Sequence, residues 1–119
     1  MGNWRQLLEL VSFPVAIAAG QILFKRAAAQ LGPAHGASWV LDVAKLPTMW
    51  LALALYGGAT LLWVRILTTV PLSRAYPFMA LAFVLVPAAG YFLFNETITG
   101  RYAIGTALIV AGVLVVARA

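Results

Sequence analysis

The sequence contains no cysteine and little charge. Without cysteine the chain forms no disulfide and offers no thiolate to a metal ion. Charged residues make up 9% of the 119 residues, whereas soluble domains carry about 25%. The hydrophobic share is 64% and the mean hydropathy is +0.97. These values exclude an ordinary soluble domain and predict an integral membrane protein, with residues 1–119 forming one small transmembrane domain.

No carboxylate falls at the centre of a long apolar run. Glu9 and Glu96 lie near predicted helix ends, and Asp42 lies in a connecting segment. A proton-coupled exporter of cations needs a buried acid, which this pattern does not provide. The single histidine, His35, lies in a loop, where a solvated side chain is far more common than a metal ligand. We therefore expect no enzymatic activity, no metal site and no cofactor.

The positive charge is spread along the chain. The formal net charge is +5 without a basic cluster, so we expect no nucleic-acid binding. The charge suits anionic membrane lipids or an anionic substrate instead. The basic residues divide four against four between the two predicted membrane faces, so they do not decide the orientation. They are Arg5, Arg65, Arg74 and Arg118 on one face and Lys25, Arg26, Lys45 and Arg101 on the other.

Apolar segments predict the fold class. Crossing a bilayer takes about 20 apolar residues in a helix, which satisfies its own backbone groups in lipid. Residues 7–31, 49–70, 74–94 and 102–116 meet or approach this length. The first segment has no clear cleavage pattern, so we expect it to be retained rather than removed as a signal peptide. The sequence predicts an all-α membrane protein with four transmembrane helices.

Two local signals refine this prediction. Residues 38–46 form an amphipathic stretch that ends at Pro47, which predicts a short helix lying on the membrane surface. Thr99 precedes the fourth segment and is a candidate N-cap.

A polar stripe runs along the first helix, at intervals of three or four residues that share one face. Its members are Pro14, Ile17, Gln21 and Lys25. Gln21 lies near the middle of the membrane, where it either lines a cavity or forms an interhelical hydrogen bond worth on average about 0.6 kcal/mol. The sequence leaves both alternatives open.

Arginine and tyrosine mark the junction of the second and third helices. Arg74 follows Pro71 at the predicted start of the third helix, where free amides and the helix dipole favour an anion. Its guanidinium can hold a phosphate in bidentate fashion, and Tyr76 is close enough to share the site. The alternative is an arginine that only snorkels to lipid phosphate. Arg65 is expected to snorkel too, and a role beside Arg74 is its second interpretation.

Small residues form a flat face on the fourth helix. Gly105 and Gly112 are seven residues apart, and Ala107 and Ala111 are four apart. Such spacing permits close helix packing. The face predicts a dimer seam, with packing inside the same bundle as the alternative.

Over nearly its whole length the chain resembles the four-helix members of the drug/metabolite transporter superfamily. The markers are AAGQILFKRAA, VPLSRAYPFMALAFVLVP, FNETITGRYAIG and IVAGVLVVAR, in that order. Within the superfamily, small multidrug resistance proteins exchange cations for protons through a glutamate of the first helix, and Ile17 stands at that position. Tyr76 matches a substrate-contacting tyrosine of that subfamily, and Gly105 and Gly112 match its dimerisation heptad.

A second subfamily is closer, the small subunits that flip undecaprenyl-phosphate aminoarabinose across the bacterial inner membrane for lipid A modification. The matching positions are Ala19, Gly20, Gln21, Lys25, Val70, Pro71, Ala75, Tyr76, Pro77 and Glu96. Arg74 departs from the subfamily pattern, which has an aliphatic residue there.

This resemblance implies a flippase of a polyprenyl-phosphate-linked sugar, working as a homodimer or as a heterodimer with a paralogous subunit. Lys25, Arg65 and Arg74 would hold the phosphate, and Gln21 and Tyr76 would hydrogen-bond the sugar. Two alternatives remain open. One is a small multidrug exporter that uses Glu9 as a displaced acid, and the other is a non-transporting accessory subunit of a membrane glycosyltransferase.

Overall fold

The computed structural model of the protein describes residues 4–33 and 36–118, so His35 lies outside the described residues. All regular structure in these two ranges is helical, and four helical spans are long and apolar enough to cross a membrane. The predicted all-α, four-span fold is confirmed. The elements in chain order are α1 (Trp4–Leu31), α2 (Ser38–Lys45), α3 (Pro47–Leu67), α4 (Leu72–Ala75), a 3₁₀ segment (Tyr76–Leu81), α5 (Ala82–Phe94) and α6 (Gly100–Ala117).

The helix ends follow from local chemistry. Pro47 opens α3 at a position where its missing N–H is not needed, and the preceding Leu46 is extended, which ends α2. The Thr99 hydroxyl accepts a hydrogen bond of 3.1 Å from the backbone N–H of Tyr102. This N-cap confirms the expected role of Thr99. It starts α6 at Gly100, two residues before the predicted boundary of 102.

The third span (Leu72–Phe94) is not the uniform helix that was predicted from residue 74. It begins at Leu72 because the Pro71 carbonyl accepts bonds of 3.0 and 2.9 Å from the N–H groups of Arg74 and Ala75. Pro77 then supplies no N–H to an α-helical ladder, and the chain winds more tightly as a 3₁₀ segment from Tyr76 to Leu81. Regular α-helix resumes only in α5.

A ladder of contacts pairs α1 with α3 in antiparallel fashion. Along α1 the contacting residue numbers rise while those on α3 fall. The pairs are Gln6 with Thr69 (3.4 Å), Glu9 with Arg65 (2.8 Å), Phe13 with Trp63 (ring centroids 4.7 Å apart), Gln21 with Tyr56 (2.6 Å) and Gln30 with Thr48 (3.4 Å). This pairing spans almost the full length of both helices and fixes which groups of α1 face α3.

The apolar core lies at one end of this helix pair, where α4 packs beneath it. Ile66 is 1% exposed and Ala75 is 0% exposed, and both belong to a cluster with Leu10 and Phe13 of α1. By contrast, α6 contributes no buried residue. It contacts only the 3₁₀ segment and α5 to a substantial extent, and its outer face is left for lipid or another protein.

Gly20 is a point of close contact between α1 and α3. A Cβ added there would collide with the ring of Tyr56, whereas a Cβ on Gly58 would meet nothing within 4 Å. We therefore expect Gly20→Ala to lower stability by about 1–3 kcal/mol, the usual cost of overpacking, and Gly58→Ala to be neutral or stabilising. Thermal unfolding of the two variants in the same detergent checks this. Equal melting temperatures would show that the Tyr56 ring yields without cost.

Candidate functional site

A cavity lies between α1 and the third span, with a volume of about 430 Å³. Most of its lining is apolar, from residues such as Phe13, Phe83 and Pro87. Its polar groups are those of Gln21, Tyr76 and Tyr102, and no acidic residue of the described chain is among its lining residues. This central cavity is suited to neutral hydrogen-bonding groups rather than to a buried ion.

Gln21 takes both roles that its sequence position suggested. Its side-chain amide donates a hydrogen bond of 2.6 Å to the hydroxyl of Tyr56, and it also lines the central cavity. The geometry depends on Gly20, because only a residue without Cβ leaves room for the Tyr56 ring. The interhelical bond thus orients Gln21 at the cavity wall.

A second, charged pocket of about 200 Å³ adjoins the central cavity, since Gln21 and Val86 line both. Here the Lys25 ammonium lies 3.5 Å from the Glu96 carboxylate, with side-chain exposures of 53% and 49%. Gly90 lies directly beneath this carboxylate, and a Cβ at Gly90 would collide with it.

The turn after α5 is what brings Glu96 back to the helix. Asn95 adopts a left-handed conformation, with φ of 55°, which asparagine tolerates better than most residues. The N–H groups of Asn95 and Glu96 both donate to the carbonyl of Gly90. The chain therefore folds over its own last helical turn, and the carboxylate of Glu96 reaches Lys25 on α1.

The remaining predicted basic residues lie at the opposite end of the bundle. Arg65 forms an ion pair of 2.8 Å with Glu9, which joins α3 to α1, and its side chain is 75% exposed, so its snorkelling stays a prediction. The side chain of Arg74 is exposed and makes no ion pair with any residue that the structure describes. Arg74 is also not among the residues that line the central cavity, although Tyr76 is.

The predicted phosphate ligands Lys25 and Arg74 thus lie far apart, at opposite ends of the bundle. Ala75, next to Arg74, packs with Leu10 and Phe13 of α1. Lys25 lies 12 residues beyond Phe13 on the same helix, which corresponds to about 18 Å at 1.5 Å per residue. One phosphate cannot contact Lys25 and Arg74 of the same protomer at once. Gln21 and Tyr76 lie between these ends, in the central cavity.

The sequence interpretation assigned no site role to two residues that shape the site, Tyr56 and Glu96, although Glu96 was among the positions that match the subfamily. The available signal was the pair of helical glycines, Gly20 and Gly90, each of which makes room for one of these side chains. The sequence interpretation also missed a row of three aromatic rings. Trp63 stacks on Phe13 and meets Tyr76 edge-on, with the Trp63 and Tyr76 ring centroids 6.4 Å apart.

Several bacterial proteins resemble the chain and carry the name "Probable 4-amino-4-deoxy-L-arabinose-phosphoundecaprenol flippase subunit ArnE". The protein of Sodalis glossinidius is 38% identical over 112 residues, which cover 91% of this chain and 95% of the relative. That of Hamiltonella defensa is 31% identical over 82% of this chain and 90% of the relative. That of Erwinia tasmaniensis is 45% identical over 56% and 64%, respectively. No family model and no solved structure matches the chain.

The fold of the charged pocket can be tested without a transport assay. A water-soluble carbodiimide should join the adjacent Lys25 and Glu96 as an amide, detected by peptide mass spectrometry. Gly90→Ala should sharply lower this yield, because the new Cβ displaces the carboxylate while alanine remains favourable in a helix. Gly57→Ala, where a Cβ meets nothing within 4 Å, is the matched control. An undiminished yield in Gly90→Ala would contradict the described packing of Glu96.

Proposed function

The chain belongs to the family of 4-amino-4-deoxy-L-arabinose-phosphoundecaprenol flippase subunits, and we propose that it moves a polyprenyl-phosphate-linked amino sugar across the bacterial inner membrane as one subunit of a dimer. The names of its relatives describe transport rather than catalysis, in agreement with the expectation that the chain is not an enzyme. Its four apolar spans make it a multi-pass membrane protein.

The observation that carries the proposal is the junction of a partly polar cavity with an apolar groove. The groove has a volume of about 950 Å³ and lies between the 3₁₀ segment and α6. Tyr76, Met79 and Phe83 line both spaces. A lipid-linked sugar has the same division, because its head group needs hydrogen bonds and its tail needs apolar surroundings. In this proposal the head group occupies the central cavity while the tail stays in the groove and in lipid.

The basic residues at the two ends support a separate role for each. Lys25 and Arg74 would bind the phosphate on opposite membrane faces, and Gln21 and Tyr76 would hydrogen-bond the sugar between them. Arg65 is engaged by Glu9 at 2.8 Å. It would act on the substrate only when this ion pair opens.

The exporter alternative needs a carboxylate that exchanges a proton for a cation. Glu9, its candidate, is bound by Arg65 and does not line the central cavity. Ile17 lines that cavity instead. No observation favours the accessory-subunit alternative. We therefore propose a flux that follows the gradient of the lipid itself.

The proposal includes a second subunit, either another copy or a paralogous chain. The proposed seam comprises Gly105 and Gly112, which lie within about 20° of each other on α6 at about 100° per residue. Ala107 and Ala111, which were also expected in the seam, lie about 200° and about 240° from Gly105 and therefore on the opposite side of the helix. Added Cβ atoms at the two glycines would meet nothing within 4 Å, so the other helices of the protomer do not cover this face closely. Because Gly112 also lines the apolar groove, the proposed partner would form one wall of the space that holds the lipid tail.

The first test compares Lys25→Ala with Arg26→Ala. Lys25 lines the charged pocket, whereas Arg26 is turned about 100° away on the helix. In membrane vesicles supplied with undecaprenyl-phosphate-linked aminoarabinose, we expect the lysine variant to lose transport roughly tenfold or more and the arginine variant to lose little, since a charge-assisted phosphate contact is the stronger kind. Equal losses in the two variants would remove the pocket from the path.

The second test separates a phosphate-binding Arg74 from an interface anchor. Arg74→Lys keeps the positive charge but cannot form the planar, bidentate contact. We expect it to stay folded and to transport poorly, and Arg74→Ala to be worse in the same vesicles. Thermal unfolding and membrane abundance serve as controls for folding. A fully active Arg74→Ala protein would leave the residue with no more than an anchoring role.

A further inference from the structure

The charged pocket holds two opposite charges that face the proposed path. The Lys25 and Glu96 side chains are each about half exposed and lie 3.5 Å apart. An ion pair with this exposure contributes little to stability, because water screens it. Yet the position of the Glu96 carboxylate is well defined, since Gly90 leaves room for it and the left-handed Asn95 turns the chain back over α5. Weak binding combined with fixed placement suits a pair that opens for a ligand.

We infer that Glu96 recognises the amino group of the transported lipid-linked sugar while Lys25 binds its phosphate. This inference rests on the proposed function and adds a residue that binds the positively charged group of the substrate. In the absence of substrate the two side chains neutralise each other. A zwitterionic head group offers each side chain a new partner of opposite sign, so the internal pair is exchanged for two pairs with the substrate.

The size and position of the pocket support this exchange. It holds about 200 Å³ and adjoins the central cavity through Gln21, and Glu96 is the acidic residue among its lining. A sugar with an acylated, uncharged nitrogen would open the pair but leave the carboxylate without a cation. A site that loses a charged partner in this way discriminates strongly against the neutral analogue.

The test uses Glu96→Gln, which keeps the size and most hydrogen bonds of the side chain but removes its charge. The variant is introduced at the chromosomal gene, so that any partner subunit is present in the inner-membrane vesicles. Two radiolabelled probes are compared, undecaprenyl-phosphate-linked 4-amino-4-deoxy-L-arabinose and its N-acetylated form. A membrane-impermeant phosphodiesterase, added outside the vesicles, releases label only from lipid that has crossed to the outer leaflet.

We expect the unmodified protein to transport the amino-sugar lipid faster than the N-acetylated lipid. Glu96→Gln should lower transport of the amino-sugar lipid roughly tenfold and leave the rate for the N-acetylated lipid unchanged. Glu9→Gln removes a carboxylate from the other ion pair and should retain the preference. A double variant, Lys25→Glu with Glu96→Lys, keeps an ion pair of reversed order. It should remain poor in transport, whereas a purely structural pair would be restored.

The outcomes separate the two proposals. If the unmodified protein moves neither lipid, the proposed function fails. If it moves the amine lipid and Glu96→Gln retains the full preference, only the inference is overturned. The same holds if Glu96→Gln slows both probes equally or if the reversed pair restores transport, because either result assigns Glu96 a structural role.

Discussion

The contact between the Tyr56 ring and the backbone of Gly20 is the constraint on which the polar groups of the bundle depend. Lipid provides no hydrophobic force between helices, so close packing at small residues has to hold them together. In an antiparallel pair, one such contact also sets the register. With Tyr56 at Gly20, Trp63 stacks on Phe13 and Arg65 reaches Glu9. The same contact turns Gln21 towards the cavity while Tyr56 accepts its hydrogen bond.

This register separates charge from the membrane centre. The ion pairs of the described residues, Glu9 with Arg65 and Lys25 with Glu96, lie towards opposite ends of the bundle and each joins α1 to another element. Between them the central cavity presents uncharged groups only. Desolvating an unpaired ion at that depth would be costly, and this arrangement avoids it. The third span and α6 form the apolar groove apart from these charged groups.

The features that were predicted from sequence depend on local properties. The number of spans follows from apolar run length, α2 from its amphipathic pattern, and the start of α6 from the Thr99 cap. The features that were missed depend on contacts between distant parts of the chain. The ion pair of Arg65 with Glu9 was missed because nothing local in the sequence reveals that the two side chains face each other. Similarly, the position of Glu96 becomes clear only when the left-handed turn at Asn95 is known, and Gly90 alone does not specify which side chain fills its space.

The geometry also bears on the proposed second subunit. Lys25 and Arg74 are too far apart to share a phosphate, so in the proposed path a crossing head group would leave one before it reaches the other. Neutral groups along the way suit this transfer, because they stabilise a sugar without trapping a phosphodiester as a fixed cation would. However, only Gln21, Tyr76 and Tyr102 offer such groups in the central cavity, and the rest of its lining is apolar. A sugar with several hydroxyl groups would remain incompletely hydrogen-bonded there, which costs free energy for each unsatisfied group. A second subunit that adds polar side chains to the same cavity would remove this cost, and the unburied α6 leaves one side of the bundle open to it.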